Sequence, residues 1–174
     1  MKKNVIVIAL FAIAVLFSNE TTAQKFRGID KSPADIAMYS TKADGAIAKV
    51  IYSRPQLKGR DMAKLAPAGK VWRLGANEST EVRFYKDVTF GGKSVKAGTY
   101  TMFAIPGDSE WTIILNKALH TWGSGSYKEA NDLVRVTGKV STNKDFVEAL
   151  AIMFSKKGEM LIGWANTVVT VPVK

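Results

Sequence analysis

Two long apolar runs decide the fold: "DFVEALAIMFS" (145–155) and "EMLIGWANTVVTVPV" (159–173), separated by Lys156, Lys157 and Gly158. The glycine behind two lysines marks a tight turn. The pair reads as one long β-hairpin near the middle of a sheet. Upstream segments show the same period of two. In "TEVRFY" (80–85), Val82 and Phe84 share one face, and Glu81, Arg83 and Tyr85 share the other. "EWTIILNK" (110–117) groups Trp111, Ile113 and Leu115, and "LVRVTGKV" (133–140) groups Val134, Val136 and Val140. Alternation of this kind is the mark of half-buried strands.

The punctuation between strands agrees. "FGGKSV", "KAGTY", "IPGDSEW" and "SKKGEM" place Gly or Pro at short intervals, as hairpin turns need. Helical signals are confined to "GRDMAKLAP" (59–67), with Asp61 at its start and Pro67 as its stop, and to "YKEANDL" (127–133). Nine or ten short strands with little helix predict an all-β antiparallel sandwich or jelly-roll-like domain, with a closed barrel as the alternative. The chain shows no internal repeat, low-complexity tract or linker. It reads as a signal peptide over 1–23, a loose polar leader over 24–33 and a single β-domain over 34–174.

The signal-peptide reading rests on the N-terminus. Lys2 and Lys3 precede an unbroken apolar run over 5–17, and the small residues Thr21 and Ala23 stand just before Gln24. That layout predicts export with cleavage after Ala23. The run is shorter than the roughly 20 residues that span a bilayer, so no membrane span is expected in the mature protein. Cleavage removes 23 of the 174 residues and leaves 151, enough for one domain with a real core. Two lysines and one glutamate leave with it, so the formal charge falls from +10 to +9. The destination is periplasmic or secreted. The chain has no cysteine, so neither disulfides nor a thiol nucleophile are in play.

The positive charge is spread singly, which argues against nucleic acid and for a solvated surface able to attract anionic partners. One histidine and no cysteine exclude the usual zinc spacings, and no metal or cofactor is expected. His120 has no G-x-S-x-G serine to act on. The basic loop "YSRPQLKGRD" (52–61) offers Arg54, Lys58 and Arg60, whose cationic groups suit carboxylate or phosphate. The competing role is structural: Arg60 or Arg73 pairs with Glu78 or Asp61 to pin a long loop. "GKVWRLGANEST" (69–80) reads as a strand over 71–74, a turn over 75–77 and a strand from Thr80. It contributes Trp72, Arg73, Asn77 and Glu78. Trp111 and Trp164 sit in apolar strands and belong to the core, whereas Trp72 and Trp122 are candidates to stack on a ligand.

Several blocks, "RPQLKGRD", "GKVWRLGANEST", "VKAGTYTMFAIPG", "EWTIILNK", "WGSGSY" and "WANTVVTVPV", resemble in content and order the bacterial family called domain of unknown function 2911. The resemblance implies an exported, mostly β domain and no particular activity. It assigns no role to His120.

These readings lead to a β-domain that binds a small polar or anionic ligand, or a glycan, through Arg54, Lys58, Arg60, Trp72, Arg73, Asn77, Glu78 and Trp122. A hydrolase using Glu78 or His120 as acid or base is the alternative. A purely structural or protein-interaction domain of the envelope is a third. Arg60 and Arg73 are expected to meet Glu78 or Asn77 in one polar cluster roofed by the "RPQLKGRD" loop, whether that cluster serves as a structural clamp or as a site. The oligomeric state is open.

Overall fold

A computed structural model describes residues 24–174, so the signal-peptide reading lies outside the described residues. The strands are β1 (Ala34–Thr41), β2 (Gly45–Ser53), β3 (Thr80–Phe84), β4 (Val88–Phe90), β5 (Lys93–Val95), β6 (Gly98–Ile105), β7 (Glu110–Asn116), β8 (Asp132–Phe154) and β9 (Glu159–Pro172). The fold is all-β and antiparallel. One seven-stranded sheet runs β1-β2-β3-β6-β7-β8-β9, and β4-β5 forms a separate hairpin between β3 and β6. The one α-helical turn among the described residues, α1 (Met62–Leu65), is capped by Asp61, whose carboxylate accepts the Ala63 N–H at 2.9 Å. The second helical signal becomes a 3₁₀ turn at Glu129–Asn131. No helix among the described residues is long and apolar enough to cross a membrane.

The alternation reads through to the core. Val82 and Phe84 of β3, and Trp111, Ile113 and Leu115 of β7, are buried in one cluster with residues from β2, β6, β8 and β9. The long hairpin is real, but β9 ends the seven-strand order instead of lying mid-sheet. The reason lies in β8, which at 23 residues is far from short. Its register with β9 slips between Thr142 and Val147, and again between Val147 and Ala151. Bulges of this kind bend a strand and sharpen its twist.

The first half of β8 therefore pairs with β7, while its second half swings away. That second half meets the chain leaving β2: Leu57 N–H donates to Glu148 O, and Leu150 N–H to Pro55 O, each at 3.0 Å. Tyr39 of β1 stacks on Phe154 with ring centroids 5.3 Å apart. The sheet thus curls until its two ends touch. The tail of β9 is covered by β4, through Thr89 and Lys174 and through Gly91 and Pro172.

The strand expected over 71–74 does not form. Trp72 makes an isolated bridge, exchanging hydrogen bonds of 2.8 and 2.9 Å with Ala104, and Leu74 then turns into the left-handed region at φ 52°. At Gly75 the chain passes so close to Ser53 O that a Cβ would stand 3.1 Å from it. The Thr80 hydroxyl closes this turn by donating to Leu74 O at 2.7 Å. Trp72 and Arg73 do point to different environments, the indole buried and the guanidinium half-buried.

Candidate functional site

The basic loop is built to close the sheet. Arg54 Nε donates to Leu150 O at 2.8 Å, and its Nη1 meets Asp35 Oδ2 at 3.1 Å. Arg60 folds back on its own loop, donating to Leu57 O at 2.8 Å and Gln56 O at 2.6 Å. Lys58 sits at φ 49° with its backbone N–H on Glu148 Oε1 at 2.6 Å. Arg54 thus reaches out of the loop to a β8 carbonyl and a β1 carboxylate, and Arg60 satisfies the loop's own carbonyls. The expected pairing of Arg60 or Arg73 with Glu78 or Asp61 does not form among the described residues; Arg54 pins the loop instead, through Asp35 and Leu150 O, and Arg60 bonds only backbone carbonyls.

Trp72 is a core residue. Its ring lies parallel to Trp164 at 5.3 Å and edge-on to Trp111 at 6.1 Å. The single arginine cluster does not assemble either. Arg73 reaches Asn77, donating to its backbone O at 3.1 Å, but Arg60 bonds elsewhere and Glu78 makes no ion pair among the described residues. Asn77, at φ 59°, donates its side-chain amide to Asp30 Oδ1 at 3.1 Å. The Ser32 N–H, and then this amide, hold the Asp30 carboxyl below its usual range. The leader is tethered there.

The remaining residues come together around a short ladder. Ser79 N–H donates to Thr121 O at 2.9 Å, and Gly123 N–H to Asn77 O at 3.0 Å. Glu78 and Trp122 are thereby bridge partners, and directly opposed residues of antiparallel segments stand on the same face. Beneath them, Thr121 Oγ1 donates to Ser79 Oγ at 2.9 Å, which donates to Gly123 O at 2.6 Å. Gly123 holds φ 67°, where a side chain is strained, and a Cβ there would stand 3.1 Å from Arg73 Nη1. Farther along, Tyr127 anchors the loop by donating to Asp132 Oδ2 at 2.7 Å. Burial, and then that hydrogen bond, raise the phenol above its ordinary value.

His120 begins this wall. It holds φ 56°, an uncommon backbone for a non-glycine residue, and its N–H donates to Glu81 Oε1 at 2.8 Å. Its Nδ1 lies 3.4 Å from the same oxygen. Glu81 projects from the outer face of β3, as the alternation in "TEVRFY" requires.

Between this wall and β2-β3 lies a groove. One cavity of about 410 Å³ is lined by Ile51, Ser53, Glu78, Glu81, His120 and Thr121 among others. A second, of about 290 Å³, follows over Lys49, Arg83, Tyr85, Thr99 and Leu119. The two share Ile51, Glu81 and His120 as a common wall. Trp122, 66% exposed, is the bridge partner of Glu78, which lines the first cavity. Of the eight residues expected to bind, the structure brings Glu78 and Trp122 to this groove, with Asn77 and Arg73 bracing the turn behind them. Arg54, Arg60 and Trp72 serve the scaffold through their side chains, and Lys58 through its backbone N–H. Sequence reading missed Lys49, Glu81 and Arg83. Their strands placed them on a shared outer face, but nothing local announced that the segment from His120 to Gly123 crosses beside it.

Fold and groove together define a class: a curled antiparallel β-domain with an open, mixed-charge groove on its outer face. The sequence model of the family described as "Protein of unknown function (DUF2911)" matches residues 32–173, and the chain belongs to that family. No curated protein and no solved structure matches it.

Proposed function

We propose that this protein works outside the cytoplasm as a binding domain for a small polar ligand of saccharide type, held in the groove over β2 and β3. The observation that carries the reading is a cavity holding Glu78, hydroxyls and a second carboxylate, with the exposed Trp122 as the bridge partner of Glu78. An indole face takes the apolar face of a sugar ring, and carboxylates accept its hydroxyls. A groove of this size falls within the range of small-molecule sites, about 300–1,000 Å³. The N-terminal basic, apolar and small-residue pattern supports export.

Titration with cellobiose, followed by tryptophan fluorescence and calorimetry, tests it. Trp122→Ala is expected to abolish the signal, and Glu78→Gln to weaken binding about tenfold, the worth of one good charge-assisted hydrogen bond. Both side chains lie at the surface, so stability should stay within about 0.5 kcal/mol of the parent. A fall in melting temperature on Glu78→Gln with unchanged binding would return Glu78 to a structural role. Absence of binding by any saccharide at millimolar concentration overturns the reading.

One observation favours hydrolysis as a second reading. His120 faces Glu81 through Nδ1, while Nε2 has no protein partner among the described residues, and Glu78 lies in the same cavity. A carboxylate that orients one imidazole nitrogen leaves the other to act on water. Turnover of chromogenic glycosides or acetyl esters that disappears in His120→Ala, with cellobiose binding retained, would establish it.

A further inference from the structure

The second cavity has a floor that the fold itself leaves unbalanced. Lys49 of β2 and Arg83 of β3 are register partners, directly opposite each other on the outer face. Their row continues to Met38 on one side and Thr99 on the other, so no acid flanks them across the strands. Among the described residues neither cation forms an ion pair. The carboxylate nearest along β3, Glu81, is engaged by the His120 amide. Like charges directly opposed on neighbouring strands destabilise a sheet, and their Cβ atoms stand only about 5 Å apart. Arg83 is further held over the Tyr85 ring, with its guanidinium carbon 5.2 Å from the centroid. Two cations thus converge in a concavity with a hydroxyl, Thr99, beside them.

The geometry points to an anion-binding subsite at Lys49 and Arg83, which takes a carboxylate or phosphate group carried by the ligand of the neighbouring cavity. The inference rests on the saccharide reading and extends it, because the two cavities share a wall and one ligand can enter both. The body of the ligand lies against Trp122 and Glu78, and its acidic group neutralises the cation pair. An acidic saccharide, either a uronic acid or a sugar phosphate, is the chemical class that fits. A guanidinium fork with an ammonium beside it is well suited to either anion. The basic loop that the sequence singled out is not this site, since its arginines are spent on the scaffold.

The experiment is calorimetry at low ionic strength on the parent, Lys49→Gln, Arg83→Gln and Trp122→Ala, with four probes: digalacturonate, glucose 6-phosphate, cellobiose and inorganic phosphate. The parent is expected to bind digalacturonate or glucose 6-phosphate at least about tenfold more tightly than cellobiose. Which of the two wins distinguishes carboxylate from phosphate. Arg83→Gln and Lys49→Gln should each remove that preference while leaving cellobiose binding intact, and 1 M salt should do the same. The melting temperature of Lys49→Gln should be equal to the parent's or higher, where a structural role would lower it.

Equal binding of acidic and neutral saccharides, unmoved by Arg83→Gln, overturns the subsite and leaves the saccharide reading standing. Phosphate binding that Arg83→Gln abolishes, with cellobiose silent and Trp122→Ala without effect, keeps an anion site but overturns the saccharide reading. Silence of all four probes overturns both.

Discussion

Trp72→Ala should unfold about 6–20 °C below the parent. The indole fills the space between Trp111 and Trp164 and is 7% exposed. Truncating a buried tryptophan to alanine costs about 3–5 kcal/mol, from lost burial and from the cavity left behind. For a domain of this size each kcal/mol moves the midpoint by about 2–4 °C. The backbone of Trp72 bonds to Ala104 through both its N–H and its carbonyl, so the segment stays in place and the cavity cannot collapse freely. Urea denaturation measures the loss directly. Cellobiose affinity, measured well below the new midpoint, should remain within about twofold of the parent, because the indole faces away from the groove and distant sites act independently. A loss under about 1 kcal/mol, or a selective loss of binding, would place Trp72 among ligand contacts instead.

Tyr52→Phe is expected to cost about 1–3 kcal/mol, through one buried hydrogen bond. The Tyr52 hydroxyl accepts the Ile152 N–H at 2.9 Å and also contacts Ile152 O and Asp35. It ties β2 to the second half of β8, so it guards the closure of the curled sheet. Phenylalanine fills the same space but leaves the Ile152 amide buried and unpaired. The phenol also carries a pH signature. Burial, its largest influence, raises the Tyr52 pKa above the ordinary value of 10.0. The folded state then holds its proton when the unfolded chain has begun to lose it. Stability from this group is therefore fully present below about pH 10 and is lost as pH rises through the folded value. Unfolding free energy followed from pH 8 to pH 11 should fall more steeply for the parent than for Tyr52→Phe. Tyr127, also raised, leaves part of the slope in both. Parallel curves would show that the hydroxyl is not buried as described.

The sequence was most legible where side-chain period met burial. "TEVRFY" sorted Val82 and Phe84 inward and Glu81 and Arg83 outward, and the strand obeys. Asp61 and Pro67 framed the one helical turn because capping is local chemistry. The strand expected over 71–74 failed for a nonlocal reason: Ser53 crosses at Gly75, and the chain turns away to let it pass. The basic loop misled in a similar way. Arg54 looked free because its partners, Leu150 O and Asp35, lie 96 and 19 positions away, and Arg60 because its acceptors are backbone carbonyls of its own loop.

The sequence by itself determined an all-β antiparallel domain, its inward and outward faces, its turns and its long final hairpin. Each of these follows from a repeat of two residues or from the backbone freedom of glycine, both of which act within a few positions. Only the tertiary structure decided where β8 bends, that Pro55 to Leu57 joins it, and that the segment from His120 to Gly123 stands beside β3. Those contacts join residues roughly 40 to 100 positions apart. They depend on how the whole sheet twists and closes, which no local pattern encodes. The groove, with Glu81, Arg83 and Lys49 on its floor and Glu78 in its lining, exists only because of that closure.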